Sequence, residues 1–492
     1  FEHGTVVDTI TTDGRGIATS KDLYCGTYIV KETVRKQNYV LSTKEYEVNV
    51  TDENKTSDPV LVKVADDPLK KKISVTKIDK VTGNHCGAGF KFQITVVDDI
   101  VDGAGIVYDG YKAGSVVDTI TTDENGIATS KELLMGNYSI QEIEVSEDGG
   151  MAINETKYPF TLTDEKDAEG NLTDIKDTDE TIVLPINDIA DNPTTLNIKK
   201  IDSLQDKDGN SIVGEDGQPV EGSEPKVLEG ITFRVKEKDA ADSDDQLHVT
   251  DKDGNIKVEY LKKSTTYTIQ ETATIPGYNL NDEVYEFTVD EKGLINGESS
   301  YSVTITNQPN EVHISKVDIT NSKEISGAKM KLTDMDGNVL DEWTSEEKAH
   351  VIYGLADGQY RLVESVAPDK YEVATSVTQG TKDESEKENI EGLNSEGIFT
   401  VKDSKIVQQV TMKDSPYRWV ELSKKEITGD DELPGCTLTV RDDHGDVVDT
   451  WVSTTEAHKL QLHSGVYTLT EEKPADGYVT ADTVKFEVKQ TS

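Results

Sequence analysis

The sequence predicts an all-β protein, tandem Ig-like β-sandwich domains in series, and three observations carry that reading. Apolar and β-branched residues alternate with polar ones over short runs bounded by Gly, Asp and Asn, and no segment of any length shows a helical period. The stretch Val6–Lys21 returns as Val116–Lys131 with 14 of 16 residues identical at an offset of 110. That offset is the length of a small domain rather than of a solenoid turn. Finally, Gly-x-Tyr with Glu four residues after the Tyr recurs at Gly26–Glu32, Gly136–Glu142, Gly358–Glu364 and Gly465–Glu471, and at Tyr267–Glu271 with Thr265 in place of the Gly.

The repeats divide the chain into five units. Residues 1–67 are the back half of one: strands at Val6–Ile10, Tyr28–Glu32, Tyr46–Val50 and Val60–Val64, a hairpin turn at Asp13–Gly16 with Ile17–Thr19 returning from it, and no front strands. Residues 68–191 are complete, with strands at Ile73–Asp79, Phe90–Val96, Val116–Ile120, Tyr138–Glu142, Tyr158–Leu162 and Thr181–Asn187. Residues 192–309 repeat the order from Leu196–Ile201 to Tyr301–Asn307, with a polar insertion over Asp206–Glu224. Residues 310–415 run from Val312–Val317 to Val407–Met412, with Gln379–Gly397 as a charged loop or hairpin. Residues 416–492 carry Val420–Lys424, Cys436–Val440, Tyr467–Glu471 and Val484–Val488 and stop without a closing strand. Short linkers stiffened by proline, Asp191-Asn192-Pro193 and Gln308-Pro309-Asn310, favour a rod over loose beads.

Composition excludes several classes of function. Lys+Arg 51 against Asp+Glu 95 gives a formal charge of −44, which argues against nucleic acid and anionic membrane as partners. Three cysteines in 492 residues cannot form a disulfide framework, and without a CxxC pair a zinc site is not expected. Cys25 and Cys436 read as small buried residues, and Cys86 as part of a turn before a strand. No apolar run reaches membrane-spanning length. The chain opens in mid-motif, so we read it as a piece of a longer polypeptide whose targeting signals lie elsewhere. Eight histidines without HExxH, a phosphate-binding loop or a Ser–His–Asp spacing give no conventional enzyme. The runs Asp206–Asn210, Asp251–Asn255 and Asp334–Asn338 lack the downstream bidentate Glu of a calcium loop and fit hairpin turns. No metal and no cofactor is expected.

The recurring Glu is the chemical signal. Strand side chains alternate with period two, so Tyr, the second residue after it and Glu share one face. An acid on an apolar face needs a partner. Two features keep step with Glu32, Glu142, Glu271, Glu364 and Glu471. The first strands carry a Lys amid apolar alternation: Lys77, Lys200 (beside Lys199), Lys316 and Lys424 (beside Lys425). The last strands end in Asp66, Asn187, Asn307 and Asp414.

A buried Lys loses charge and a buried Glu gains a proton. A neutral amine held against an Asn or Asp side-chain carbonyl, with an acid to move protons, can condense to an amide. Ammonia leaves from Asn and water from Asp. The alternative is a buried Lys–Glu–Asn hydrogen-bond network without a bond.

The runs Ile314–Asp318, Ser326–Leu332, Asp336–Asn338 and Gly358–Ser365, with a Pro after the last acceptor, resemble the Cna B-type (SpaA-like pilin) domain of Gram-positive surface proteins. Glu471-Glu472-Lys473-Pro474-Ala475-Asp476-Gly477-Tyr478 resembles its E-x-x-x-P-x-G-Y run. The resemblance covers essentially the whole chain. It implies prealbumin-like sandwiches with self-catalysed isopeptide bonds: Lys77–Asn187 with Glu142, Lys200–Asn307 with Glu271, and Lys316–Asp414 with Glu364. Unit one has Glu32 and Asp66 without a Lys, and unit five has Lys424 and Glu471 without an acceptor.

The function expected is an extracellular stalk or fibre on a bacterial cell surface. A sortase-polymerised pilin shaft is the second reading, although Tyr158-Pro159-Phe160 lacks the Lys of a pilin motif and Leu433-Pro434-Gly435-Cys436 is no sorting signal. A ligand-binding adhesin region is the third, with Gln379–Gly397 its candidate surface. Partners would be neighbouring domains, pilus subunits, or a host or cell-surface ligand reached through regions outside this stretch.

Overall fold

The computed structural model describes residues 2–206, 208–213, 220–382, 388–402 and 405–489. Among these the regular structure is β-strand, apart from one short 3-10 turn at Asp244–Gln246. The strands form small sheets stacked in pairs, and four clusters of buried apolar side chains lie between them, spanning 69–189, 196–305, 312–412 and 440–488.

The second unit shows the plan. One sheet is antiparallel, in the order Val116–Thr121, Lys91–Val96, Gly136–Glu144, Lys157–Leu162. The other places Lys70–Asp79 between Val183–Asp191 and the short Ile127–Thr129. The closing strand Val183–Asp191 runs parallel to the first strand. The third unit repeats this with Ser300–Asn307 parallel to Thr195–Asp206, and the fourth with Val407–Asp414 parallel to Glu311–Asp318. A parallel pair needs a long crossover. Here the whole antiparallel sheet is that crossover, so first and last strands meet side by side.

Alternation decides which side chains enter the core. Along Lys70–Asp79 the buried positions are Lys71, Ile73, Val75, Lys77 and Asp79. Lys77 is therefore in phase with apolar neighbours and must face inward. The Tyr of the recurring motif packs on a Phe one strand away: Tyr138–Phe160, Tyr267–Phe287, Tyr360–Phe399 and Tyr467–Phe486, with ring centroids 5.3–6.0 Å apart. Its hydroxyl donates to the carbonyl four residues upstream in four of the five repeats, at Tyr24, Leu134, Ala356 and His463.

Several expected strands take other forms. The first unit keeps one two-stranded ribbon, Gly26–Lys31 with Glu45–Val50. Val6–Ile10, Ile17–Thr19 and Val60–Val64 are not strands, although the Asp13–Gly16 turn closes through Gly16 N–H to Asp13 O. The near-identical Val116–Thr121 pairs with Lys91–Val96, and Ile127–Thr129 with the first strand. The first unit has no such hosts among the described residues, and a lone strand does not hold. Gln379–Gly397 falls on a hairpin, Val377–Lys382 with Glu388–Asn394, that extends the fourth unit's sheet; residues 383–387 lie outside the described residues, as do Lys207 and 214–219 of the Asp206–Glu224 insertion. Val420–Lys424 shifts two residues back to Arg418–Leu422, leaving Lys424 beyond the strand end. Cys86 and Cys436 are buried, but Cys25 is exposed, because the sheet that covers its counterpart Met135 has no equivalent there.

Candidate functional site

Each complete unit brings one Lys, one Glu and one Asp or Asn together between its sheets. In the third unit Lys200 Nζ donates to Asn307 Oδ1 at 2.6 Å and lies 2.8 Å from Glu271 Oε2. Asn307 Nδ2 donates to Glu271 Oε1 at 2.7 Å and to Thr274 Oγ1 at 2.9 Å. Lys199 points away and donates to the Asp253 carbonyl. In the fourth unit Lys316 Nζ is 3.0 Å from Glu364 and in direct contact with Asp414 Oδ1. In the second, Lys77 Nζ is 3.0 Å from Glu142 and in contact with Asp191 Oδ1. All nine side chains are at most 4% exposed.

Asp191 stands where Asn187 was expected. Asn187 is exposed and sits beside Val75, past an irregularity in the parallel register, while Asp191 pairs with Asp79. The other two acceptors hold the same register: Asn307 opposite Asp202 and Asp414 opposite Asp318. Each lies one inward step beyond the residue facing the Lys. The missed signal was in the linkers. Asp66, Asp191, Asn307 and Asp414 each precede a proline by two residues, at Pro68, Pro193, Pro309 and Pro416, and Asn187 does not.

The Glu is aimed by a local irregularity. The strand facing it slips register beside its partner in every described case, at Lys91/Phe92, Thr232/Phe233, Lys329/Met330 and Thr437/Leu438, so that Phe92, Phe233, Met330 and Leu438 stand opposite Glu142, Glu271, Glu364 and Glu471. A bulge turns a side chain relative to the regular pleat. A backbone N–H ten or twelve residues downstream then holds one carboxylate oxygen: Ser42 on Glu32, Asn154 on Glu142, Asn281 on Glu271, Ala374 on Glu364 and Ala481 on Glu471. Aromatic rings close the amine in, with Phe90 and Phe92 5.3 and 5.7 Å from Lys77 Nζ and Phe233 5.4 Å from Lys200 Nζ.

Burial sets the protonation states. It pushes the Asp191 carboxyl up to about 8, Glu142 adding to the rise and Lys77 opposing it. It pushes Asp414 up to about 7, against the pull of Lys316. Burial lowers the Lys200 amine, against its pairing with Glu271. Several buried oxygens here have no aligned hydrogen-bond donor: Glu142 Oε1, both of Asp191, Glu364 Oε1 and Asp414 Oδ2.

The end units hold partial sets. Lys424 Nζ lies 3.2 Å from Glu471, with the Lys side chain 17% exposed and no acceptor among the described residues. Glu471 is below its ordinary value: burial opposes the shift, and the Ala481 N–H, the Cys436 thiol and Lys424 together outweigh it. In the first unit burial raises both Glu32 and Asp66, and no Lys faces them among the described residues.

A fourth position escaped sequence reasoning. Two residues after each Lys stand Asp79, Asp202, Asp318 and Glu426, a Lys-x-acid repeat visible in the sequence. Asp202 accepts from Tyr278 at 2.8 Å and Asp318 from Tyr371 at 2.9 Å, and Glu426 is in contact with the Tyr478 hydroxyl.

Fold and site together define a class: two-sheet β-sandwiches in tandem, each complete one burying a Lys of its first strand between a central Glu and an Asp or Asn of its last. The chain belongs to the SpaA family of prealbumin-like fold domains, whose model matches residues 2–63, 71–176, 217–307, 310–395 and 418–492. It is 27% identical over 235 residues to serine-aspartate repeat-containing protein F of Staphylococcus epidermidis, covering 46% of this chain and 12% of that protein. To serine-aspartate repeat-containing protein D of Staphylococcus aureus (strain Newman) it is 28% identical over 281 residues, covering 51% and 20%. The chain thus spans between 12% and 20% of these relatives' length. Similar solved structures include the Bacillus anthracis TIE protein, 17% identical over 86% of this chain and 72% of that one with a TM-score of 0.29, and a streptococcal ancillary pilin, 16% identical over 70% and 99% with a TM-score of 0.26.

Proposed function

We propose that the chain is a stretch of an extracellular stalk on a Gram-positive cell surface, its sandwiches locked by self-formed Lys–Asp and Lys–Asn isopeptide bonds. The observation that carries this is the same buried trio in three successive units, the amine against the acceptor and the Glu beside both. The tandem family match and the staphylococcal relatives support the setting.

The chemistry follows from the geometry. A neutral Lys Nζ attacks the acceptor's side-chain carbonyl carbon, forming a C–N bond. For Asp191 and Asp414 a C–O bond breaks and water leaves; for Asn307 a C–N bond breaks and ammonia leaves. Glu142, Glu364 and Glu271 accept the amine's proton and return one to the leaving group. Holding the groups in contact removes most of the entropic barrier. Burial supplies the reactive forms: it keeps the Asp191 and Asp414 acids protonated at a pH where exposed carboxyls are ionised, and it favours the neutral Lys200 amine. The product is a neutral amide, so the cost of unsatisfied buried charge disappears.

The bond ties the first strand to the last. Those strands lie side by side in parallel register, so force applied at the two ends of a unit meets a covalent tether instead of peeling strands apart. The test is the intact mass of the denatured chain with peptide mapping. Two Lys–Asp bonds and one Lys–Asn bond remove roughly 53 Da as covalent modifications, and the joined peptides contain Lys77 with Asp191, Lys200 with Asn307 and Lys316 with Asp414. An unshifted mass overturns the cross-linking.

A further inference from the structure

The second unit departs from its neighbours at one point of the Lys site. In the third and fourth units the acid two residues after the Lys is held by that unit's own tyrosine, Tyr278 on Asp202 and Tyr371 on Asp318. These tyrosines occupy an equivalent backbone position, each forming an isolated bridge to the proline after the acceptor: Tyr278 with Pro309, Tyr371 with Pro416. In the second unit the residue bridging to Pro193 is Met151, which has no hydroxyl. Asp79 is still held by a tyrosine, at 2.6 Å, but it is Tyr260, from the third unit.

The backbone around Tyr260 fits that role. At the junction between the third and fourth units, Gly277 packs against Gly354, and Gly354 N–H donates to Asn310 O. At the junction between the second and third, Gly150 packs against Tyr260, and the next residue, Leu261, donates to Thr194 O. Tyr260 thus stands where the other junction has glycine. Its φ of +62° is left-handed, as is the +77° of Gly354. A bulky residue there is strained, and a side chain that reaches back into the preceding unit compensates. The seam is also held by Lys263, which donates to Val145 O at 2.8 Å and pairs with Glu147 at 3.0 Å.

Asp79 in turn governs the acceptor. Its carboxylate accepts from Val81 N–H at 2.7 Å and from the Thr82 hydroxyl at 2.9 Å, folding the chain back after the first strand. That turn presents Lys80 N–H to the Asp191 carbonyl at 2.8 Å. Burial opposes ionisation of Asp79, yet its hydrogen bonds, with Tyr260 first among them, keep it below its ordinary value, and the Tyr260 hydroxyl is raised to about 12 in exchange.

We propose that the third unit completes the second unit's site in trans: Tyr260 is a positioning residue for Lys77 and Asp191, so that the second unit condenses only once the third has folded and docked. The clause on condensation rests on the cross-linking reading above; the clasp itself does not. Units two and three then mature as one body, in a fixed order, whereas the fourth unit, with its own tyrosine, matures alone.

The test uses the full chain made by cell-free translation, with samples quenched in denaturant over time and the three joined peptides quantified by mass. In Tyr260→Phe, formation of the Lys77–Asp191 peptide slows about tenfold relative to Lys200–Asn307 and Lys316–Asp414 in the same molecules, the loss expected for one hydrogen bond to a charged group. Met151→Tyr with Tyr260→Gly recreates the arrangement of the other junction and restores the rate. An unchanged rate in Tyr260→Phe, or failure of the double variant to rescue, overturns the ordering. Amide exchange at Val81 and Thr82 is the second measurement. It rises about tenfold in Tyr260→Phe and returns in the double variant; unchanged exchange overturns the clasp. A wild-type chain without any mass deficit would remove the cross-linking reading, and the exchange data would still decide the clasp.

Discussion

Replacing Glu271 with Gln separates the contributions inside one unit. The change keeps shape and removes the carboxylate that contacts both Lys200 and Asn307, the group that moves protons between them in the proposed condensation. The Lys200–Asn307 bond should fail to form, and the chain should be about 16 Da heavier than the fully joined wild type, about 17 Da for the retained ammonia less about 1 Da for the substitution itself. The bond would close a loop of 107 residues, and in the chain-entropy model a loop near 100 residues is worth about 4.7 kcal/mol. For a domain of this size that corresponds to a fall of roughly 19–38 °C in the unit's transition, at about 4–8 °C per kcal/mol.

Part of any loss could come instead from a Lys left buried without its carboxylate, which costs about 3–5 kcal/mol. Lys200→Met with Glu271→Gln removes both charges and so isolates the tether. Hydrogen exchange of peptides covering Leu196–Ile198 and Phe233–Val235 reads this unit apart from its neighbours, where a single melting temperature for a multidomain chain would not. The double variant should still lose about 4–5 kcal/mol. A double variant as protected as the wild type, or a Glu271→Gln chain that keeps its 17 Da deficit, would refute the reasoning.

Condensation rates should depend on pH in opposite senses. In the proposed condensation the reactive form of Asp191 and Asp414 is the protonated acid, and burial raises these carboxyls to about 8 and about 7. Their rates, followed by quench and mass, should fall as pH rises through those values. Lys200–Asn307 has no acid acceptor and needs the neutral amine, so its rate should rise with pH toward the lowered Lys200 value. Asp191→Ala should abolish the second unit's deficit while Asn187→Ala leaves it, as peptide mapping would show; the reverse would restore Asn187 as acceptor. Gly277→Ala places a Cβ 2.2 Å from the Gly354 carbonyl oxygen at a φ of +87°. The backbone strain alone costs about 1–2 kcal/mol, and exchange at Asn310 N–H, which donates to Gly277 O at 2.8 Å, should rise accordingly.

The parts of the site that alternation controls were legible in the sequence. Lys77, Lys200 and Lys316 stand in phase with apolar residues on their strands, and the five Glu keep step with Tyr. The acceptor was harder, because a parallel closing strand can slide by two residues without changing which face is buried. Asn187 and Asp191 differ by two such steps, so hydrophobic phase could not choose between them. The register is fixed by how the strand runs into its linker, where Met151, Tyr278 and Tyr371 bridge to Pro193, Pro309 and Pro416. The spacing from acceptor to proline therefore carries the information that alternation lacks.

The near-identical segments Val6–Lys21 and Val116–Lys131 show the other limit. They share 14 of 16 residues, yet only the second forms strands, because Lys91–Val96 and Lys70–Asp79 receive it. What both copies keep is the turn: Asp13 and Asp123 each accept from the Gly three residues on and from the Ile four residues on. Turn chemistry is local and travels with the sequence, whereas strand structure depends on a host. The Lys sites obey the same division. Among the described residues Glu471 keeps its backbone N–H and its Lys without a closing strand, and Glu32 keeps its N–H without a Lys. The Glu and the segment that orients it form one local module. The Lys and the acceptor come from strands at opposite ends of a unit and meet only when its second sheet closes, so the chemistry proposed here is tied to completion of the fold.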